Sequence, residues 1–441
     1  MNTDDIRLQL PDHAADRRKE LEMTSRDILH NALDHFHTDH VPVDIGATAV
    51  TGMHVSTVAA LRDHYGLPKI PVKVWEPYQM LGHIDEDLAC IIGIDTAGVP
   101  AENTMFGYPA ADWKPWTTPQ GLPILVPGKF NTTVDSKGDI LMYPEGDTNA
   151  PASGRMPRDG YFFDTIIRQE TIADASLRAE DNLQEFGMYA ERTLSYFETG
   201  VRQAAKIGKA VVATIGGTAL GDVALVPAPF LKHPRGIRDI QEWYISTALR
   251  PDLVKEIFSR EVDIALENLA QINSRVGSLI DVVFICGTDF GTQQSPFCSE
   301  ATFRDLYLPY YKRMNDWIHA NTQWKTFKHS CGAIRPLMTA IADAGFDIIN
   351  PVQCSAAGME PKALKDEFGG RLTFWGGGID TQRTLPFGTP YEVREEVLRR
   401  CEIFSKNGGF VFNAVHNIQA KTPIANVVAM IDAVHAFNGS L

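Results

Sequence analysis

From residue 210 onward one unit recurs, a short apolar run ending in polar or glycine residues and then an amphipathic helical pattern. The runs are Ala210–Thr214, Val282–Cys286, Thr326–His329, Phe346–Asn350, Leu372–Trp375 and Phe410–Asn413, and Val41–Gly46 reads as an earlier one. Strands alternating with helices pair in parallel through right-handed crossovers, and seven such strands approach the eight of a closed barrel. The expected fold is therefore an α/β (β/α)8 TIM barrel with a β-rich insertion and an N-terminal arm. An open doubly wound sheet is the other arrangement, but no G-x-G-x-x-G follows an early strand.

The helices carry their own punctuation. Val393, Val397, Leu398, Cys401 and Phe404 recur at spacings of three and four, behind Thr389 as N-cap, Pro390 at the first position and Glu392 completing a capping box. Cys401 lies on that apolar face and reads as core. A last helix from Pro423 buries Ile424, Val427, Val428, Ile431 and Val434. Near the start, Thr24-Ser25 caps RDILHNALDHF, and residues 1–23 read as an arm. Residues 24–441 then form one barrel, interrupted at about 95–165 by Pro, Gly, Trp and alternating apolar residues. That alternation around Ser136-Lys137-Gly138 predicts a β-hairpin.

With 441 residues, the chain can bury a large core without staples. Its 41 Lys plus Arg against 55 Asp plus Glu give a net charge of -14, which argues against nucleic acid as a partner. No apolar run nears the roughly 20 residues that span a bilayer, and the polar start lacks a signal peptide's apolar stretch. The expectation is a cytoplasmic protein without a membrane partner. Six cysteines with no C-x-x-C pair predict free thiols, with one of them a candidate metal ligand.

In such a barrel the chemistry sits where strands end. Four strand ends are loaded: Gly287-Thr-Asp289-Phe-Gly-Thr-Gln293-Gln294, Lys328-His329-Ser-Cys331-Gly332, Asn350-Pro-Val-Gln353-Cys354 and Asn413-Ala-Val-His416-Asn-Ile-Gln419. Imidazole and thiolate at His329 and Cys331 suit zinc, and Gly332 lets the backbone bend beside them. The plain alternative is a capped histidine and a packed cysteine. His416 is the best third ligand by type and position, with Cys354 as the alternative and Gln353 as a polar or weak one. Asp289 ends an apolar strand, where a carboxylate needs a hydrogen-bonding or cationic partner, so it is a candidate for substrate orientation or proton transfer. It could equally cap its loop. Asp380 is similar, and Gly376, Gly377 and Gly378 before it would let a bulky cofactor approach the backbone. His30, His35, His37 and His40 have irregular spacing and read as a surface helix end.

From about Thr24 to the C-terminus the chain resembles the uroporphyrinogen decarboxylase superfamily, and within it the methyltransferase branch. The opening TSRDILHNALDHFHTDHVPVDIG and the loop GTDFGTQQSPFCSEATFRDLYLPYYKRM carry the resemblance. That branch includes methylcobalamin:coenzyme M methyltransferases and demethylases that work with a corrinoid protein. The resemblance implies a (β/α)8 barrel with zinc bound through a His-x-Cys pair and a later Cys. His329 and Cys331 match the pair, whereas the later Cys falls at His416 of NAVHNIQAKTPIANV, a departure from the pattern. The arginine-bearing stretch by which the decarboxylase clamps its polycarboxylate is replaced here by Gly46-Ala-Thr-Ala-Val-Thr-Gly-Met53, without arginine.

The resemblance thus implies a zinc-dependent methyltransferase or demethylase. It would move a methyl group between a small methylated substrate or thiol and a corrinoid (methylcobalamin) on a partner protein, with Asp289, Gln353 and Asp380 orienting the substrate. A tetrapyrrole decarboxylase or another metal-dependent lyase or hydrolase is the second reading, and a non-catalytic corrinoid-binding subunit the third. A homodimer is left open.

Overall fold

The structure is a computed structural model and describes residues 23–439. The expected arm, apart from Met23, lies outside the described residues.

Seven strands form one sheet, in the order Thr96–Val99, Ala210–Ala213, Val282–Cys286, Lys325–His329, Ile348–Asn350, Thr373–Trp375 and Phe410–Val411, all in parallel. The backbone around Val43 closes the sheet into a barrel. It bridges in parallel to Phe412 and bonds to both edges. The Asp44 N–H donates to Phe412 O (2.9 Å), the Phe412 N–H to Pro42 O (2.8 Å) and the Asp95 N–H to Val43 O (2.8 Å). Neither sheet edge is then left to pair with another chain. Counting the Val43 segment as first, the eight strands run around the barrel in chain order.

The eighth strand missing from the sequence reading is Thr96–Val99, which stands second in the barrel although it falls within the stretch 95–165 read as insertion. It is four residues long, and Thr96 and Val99 are its buried pair. It therefore makes no apolar run. A Cβ at Gly98 would lie 2.3 Å from Ala47 O, so the adjoining backbone claims that space. Beyond it come a hairpin, Lys114–Thr117 with Pro123–Val126, and a four-stranded antiparallel sheet. The turn at Ser136-Lys137-Gly138 joins Thr132–Val134 to Ile140–Met142, as the alternation predicts.

Inside the barrel, Ala210, Val212, Val282, Phe327, Ile348, Trp375 and Val411 pack together. The helix Ser25–Leu33, started by a Thr24/Asp27 capping box, adds Leu29 and Leu33 to this cluster and so stoppers the end where the strands begin. Asp44 is buried among them. Its carboxylate accepts from Thr96 Oγ1 (2.8 Å), the Ala47 N–H (3.1 Å) and Trp375 Nε1 (2.8 Å), which ties three strands and satisfies a group that would otherwise be costly to bury.

Outside, the helices pack as their periodicity requires. Pro251–Val276 buries Val254, Phe258, Val262, Ala265, Leu269 and Ile272 along one stripe. Pro390–Phe404 has the expected capping box between Thr389 and Glu392, and it buries Cys401. The last helix, Ile424–Phe437, follows Pro423.

Candidate metal centre

Alternation along the fifth strand, Lys325–His329, decides which side chains meet. Phe327 points into the barrel, so His329, two residues on, enters the same interior at its open end. Lys328 faces the opposite way and is fully buried. Its ammonium donates to the carbonyls of Thr288 (2.6 Å) and His329 and sits 5.0 Å above the Phe290 ring.

After His329 the chain turns sharply. Neighbouring strand ends hold the turn: the Cys331 N–H donates to Asp289 Oδ1 (2.7 Å), and the Gly332 N–H to Gln353 Oε1 (2.7 Å). Gly332 has φ +90°, and a Cβ there would come within 2.4 Å of the Gly291 carbonyl. Only glycine meets both demands without strain. The turn brings Cys331 Sγ to 3.5 Å from His329 Nε2.

His416 arrives from the loop after the eighth strand. Asn417 pins that loop to the first: its Oδ1 accepts from the Gly52 N–H (2.6 Å), and its amide donates to Ala49 O (2.8 Å) and Gln79 Oε1 (2.9 Å). The rings of His329 and His416 meet edge to face at 5.5 Å. One ligand atom from each of His329, Cys331 and His416 lies within 4.8 Å of the others. Two imidazoles and a thiol are the donors zinc takes, with bonds of roughly 2.0–2.3 Å, so side chains up to 4.8 Å apart need close only slightly around a shared ion. His329 is buried, whereas Cys331 and His416 are half-buried, so the group opens toward the barrel mouth. Cys354 stands apart, with Sγ against Val352 O at 3.3 Å.

Burial drives the electrostatics. It pushes His329 down to about 4, with Lys328 adding to the effect, and His416 down to about 4, with His329 adding to it. Burial, then the Asp289 carboxylate, raises the Cys331 thiol well above its usual range. Both imidazoles are therefore neutral near pH 7, as ligation requires, while the thiol must give up its proton to a binding cation. The Asn417 N–H donates to His416 Nδ1 (2.8 Å). His416 therefore ligates either by trading this contact at Nδ1 or by moving its proton off Nε2.

The remaining expected residues divide. Asp289 stands at the centre, with Oδ1 3.8 Å from His329 Nε2. Gln353 is buried and braces the turn. The Asp380 Oδ1 accepts from the N–H groups of Gln382 (2.7 Å) and Arg383 (3.0 Å), a local cap. Beside Gly376, Gly377 and Gly378 the space belongs to this chain, since Cβ atoms there would meet Ala414 O at 3.1 Å, Val352 Cβ at 2.8 Å and the Phe412 ring at 2.3 Å. Lys328 and Asn350, which contacts His329, stand in two of the loaded strand ends but carried no role there, and Asp222, a buried carboxyl raised to about 6 by burial, escaped sequence reasoning altogether. Only the alternation of the fifth strand could have flagged Lys328, as a lysine on its outward, helix-covered face.

Residues 235–437 match the family model described as uroporphyrinogen decarboxylase (URO-D), and that stretch contains all three metal-ligand candidates. No curated protein matches the chain. Among solved structures, a methyltransferase from Methanosarcina mazei is similar over 94% of this chain and 99% of its own, with 15% identity and a TM-score of 0.52. A D-psicose 3-epimerase is similar over 56% of this chain and 82% of its own, with 11% identity, and its TM-score of 0.29 is too low to support an argument. Residues 235–437 thus carry the likeness to the uroporphyrinogen decarboxylase family, and the solved methyltransferase shares the fold along nearly the whole length of the chain.

Proposed function

We propose that this protein is a zinc-dependent methyltransferase or demethylase. It would move a methyl group between a small methylated substrate or thiol and a corrinoid carried by a separate protein. The convergence of His329, Cys331 and His416 within 4.8 Å supports this reading most directly. Likeness to a structure named as a methyltransferase adds to it.

When bound, zinc would supply Lewis acidity to the heteroatom that loses or gains the methyl group. The chain's residues do the rest. His329 and His416 contribute neutral nitrogens, so that a His2Cys set carries one negative charge and leaves the centre more electrophilic than a set with two thiolates. Asp289 orients the substrate beside the centre, and Gln353 acts through the turn it braces. Asp380 and Gly376–Gly378 shape the rim of the seventh strand. The carboxyl groups of Asp289 and Asp222, with no arginine in Gly46–Met53, disfavour a polycarboxylated tetrapyrrole as substrate.

The test is metal analysis paired with corrinoid spectroscopy on the full chain. About one equivalent of zinc, lost in Cys331→Ser, is expected. Added methylcobalamin should then change its cobalt absorption in the presence of an acceptor thiol only while His329 is intact. Less than half an equivalent of zinc, unchanged by Cys331→Ser, would favour a non-catalytic subunit. Full zinc without any corrinoid response would favour a metal lyase or hydrolase.

A further inference from the structure

We infer that Asn350 is a positioning residue for His329, setting the tautomer that leaves Nε2 free to take a metal ion. The inference rests on the metal-centre reading above and deepens it. Parallel register places Asn350 directly beside His329 on the sixth strand, so the two side chains share the barrel interior. His329 Nδ1 lies 2.6 Å from Asn350 Oδ1, and Asn350 Nδ2 donates to Trp375 O at 2.8 Å. The second contact decides the first. A backbone carbonyl only accepts, so the NH2 end of the amide must face Trp375 and the oxygen must face His329. An oxygen facing Nδ1 requires Nδ1 to be the donor. The neutral ring then has its lone pair on Nε2, the atom 3.5 Å from Cys331 Sγ.

The Asp289 carboxylate, the acceptor that would favour a proton on Nε2, stands 3.8 Å away, beyond hydrogen-bond distance. Asn350 is fully buried and His329 is 3% exposed, so bulk water does not reach to replace either contact. Gly376 keeps the route open, because a Cβ there would approach Asn350 Nδ2 to 3.3 Å. The seventh strand's carbonyl thus sets the amide, the amide sets the imidazole, and the imidazole presents its lone pair. Ligating histidines are commonly oriented by such an outer acceptor, and losing it typically weakens metal binding 10–100-fold.

Two measurements test this. Histidine-selective 15N NMR on the metal-free full chain should report His329 protonated at Nδ1, and protonation at Nε2 would overturn the inference without any variant. Zinc affinity, read by competition with a chromophoric chelator, should fall at least about tenfold in Asn350→Leu. It should be largely restored in Asn350→Asp, whose buried, protonated acid keeps an acceptor toward Nδ1 and a donor toward Trp375 O. A folded Asn350→Leu protein that binds zinc as wild type does would also overturn it. Should wild type bind no zinc, the metal-centre reading fails, while the NMR result still decides the tautomer.

Discussion

Glu76 shows how strongly one buried residue can couple this protein to pH. Its two carboxylate oxygens accept from the N–H groups of Tyr78 (2.9 Å) and Gln79 (2.8 Å), yet burial raises it to about 7. The folded state thus holds its proton more tightly than the unfolded chain, whose value is near 4.5. The associated stability is fully present below pH 4.5 and is lost as pH rises through about 7. Relative to Glu76→Gln, wild type should lose on the order of 3 kcal/mol across that window. Urea unfolding at pH 4.5, 6 and 8 checks this, and parallel pH profiles for the two proteins would refute it. At the same scale, residue type made His329, Cys331 and His416 legible as candidate metal ligands, because few side chains bind zinc. Asn350 was not legible in that role, because an asparagine gains meaning only from what lies on either side of it.

Between elements, the turn after the fifth strand matters most, and it owes its shape to two other strand ends. Asp289 and Gln353 accept its N–H groups, and Gly332 passes against Gly291 where no side chain fits. Gly332→Ala should combine left-handed strain with a steric clash. A loss of about 1–3 kcal/mol in denaturant unfolding is expected from the strain alone, together with weaker zinc binding as Cys331 shifts. Unchanged stability and affinity would show that the turn has slack. Gln353 was expected near the metal as a weak ligand or a substrate contact. The strand ends place it as a brace, a role that depends on where the neighbouring loop runs.

At the level of the whole barrel, closure depends on a short seam around Val43. Besides its backbone bonds, the seam is held by Asn438 after the last helix: the Val41 N–H donates to Asn438 Oδ1 (2.9 Å), and Asn438 Nδ2 donates to Val41 O (3.0 Å). A side chain here mimics a neighbouring strand, linking the chain's last helix to its first strand. Asn438→Ala should cost about 1–3 kcal/mol for the two bonds. Hydrogen exchange should speed up first in residues 41–45, and uniform exchange across the barrel would argue against a local seam. No helix among the described residues is long and apolar enough to cross a membrane.

By itself the sequence determined the repeating strand and helix units, their caps, the hairpin at Ser136-Lys137-Gly138 and the chemical type of the candidate ligands. Each follows from local periodicity, backbone preference or the donor atoms a side chain carries. Only the tertiary structure decided that Thr96–Val99 is a barrel strand, that helix Ser25–Leu33 stoppers the barrel, and that His416 reaches Cys331. It also decided that Asn350 faces His329. Those outcomes depend on which strands become neighbours, and residues far apart in the chain acquire a common environment only when the sheet closes.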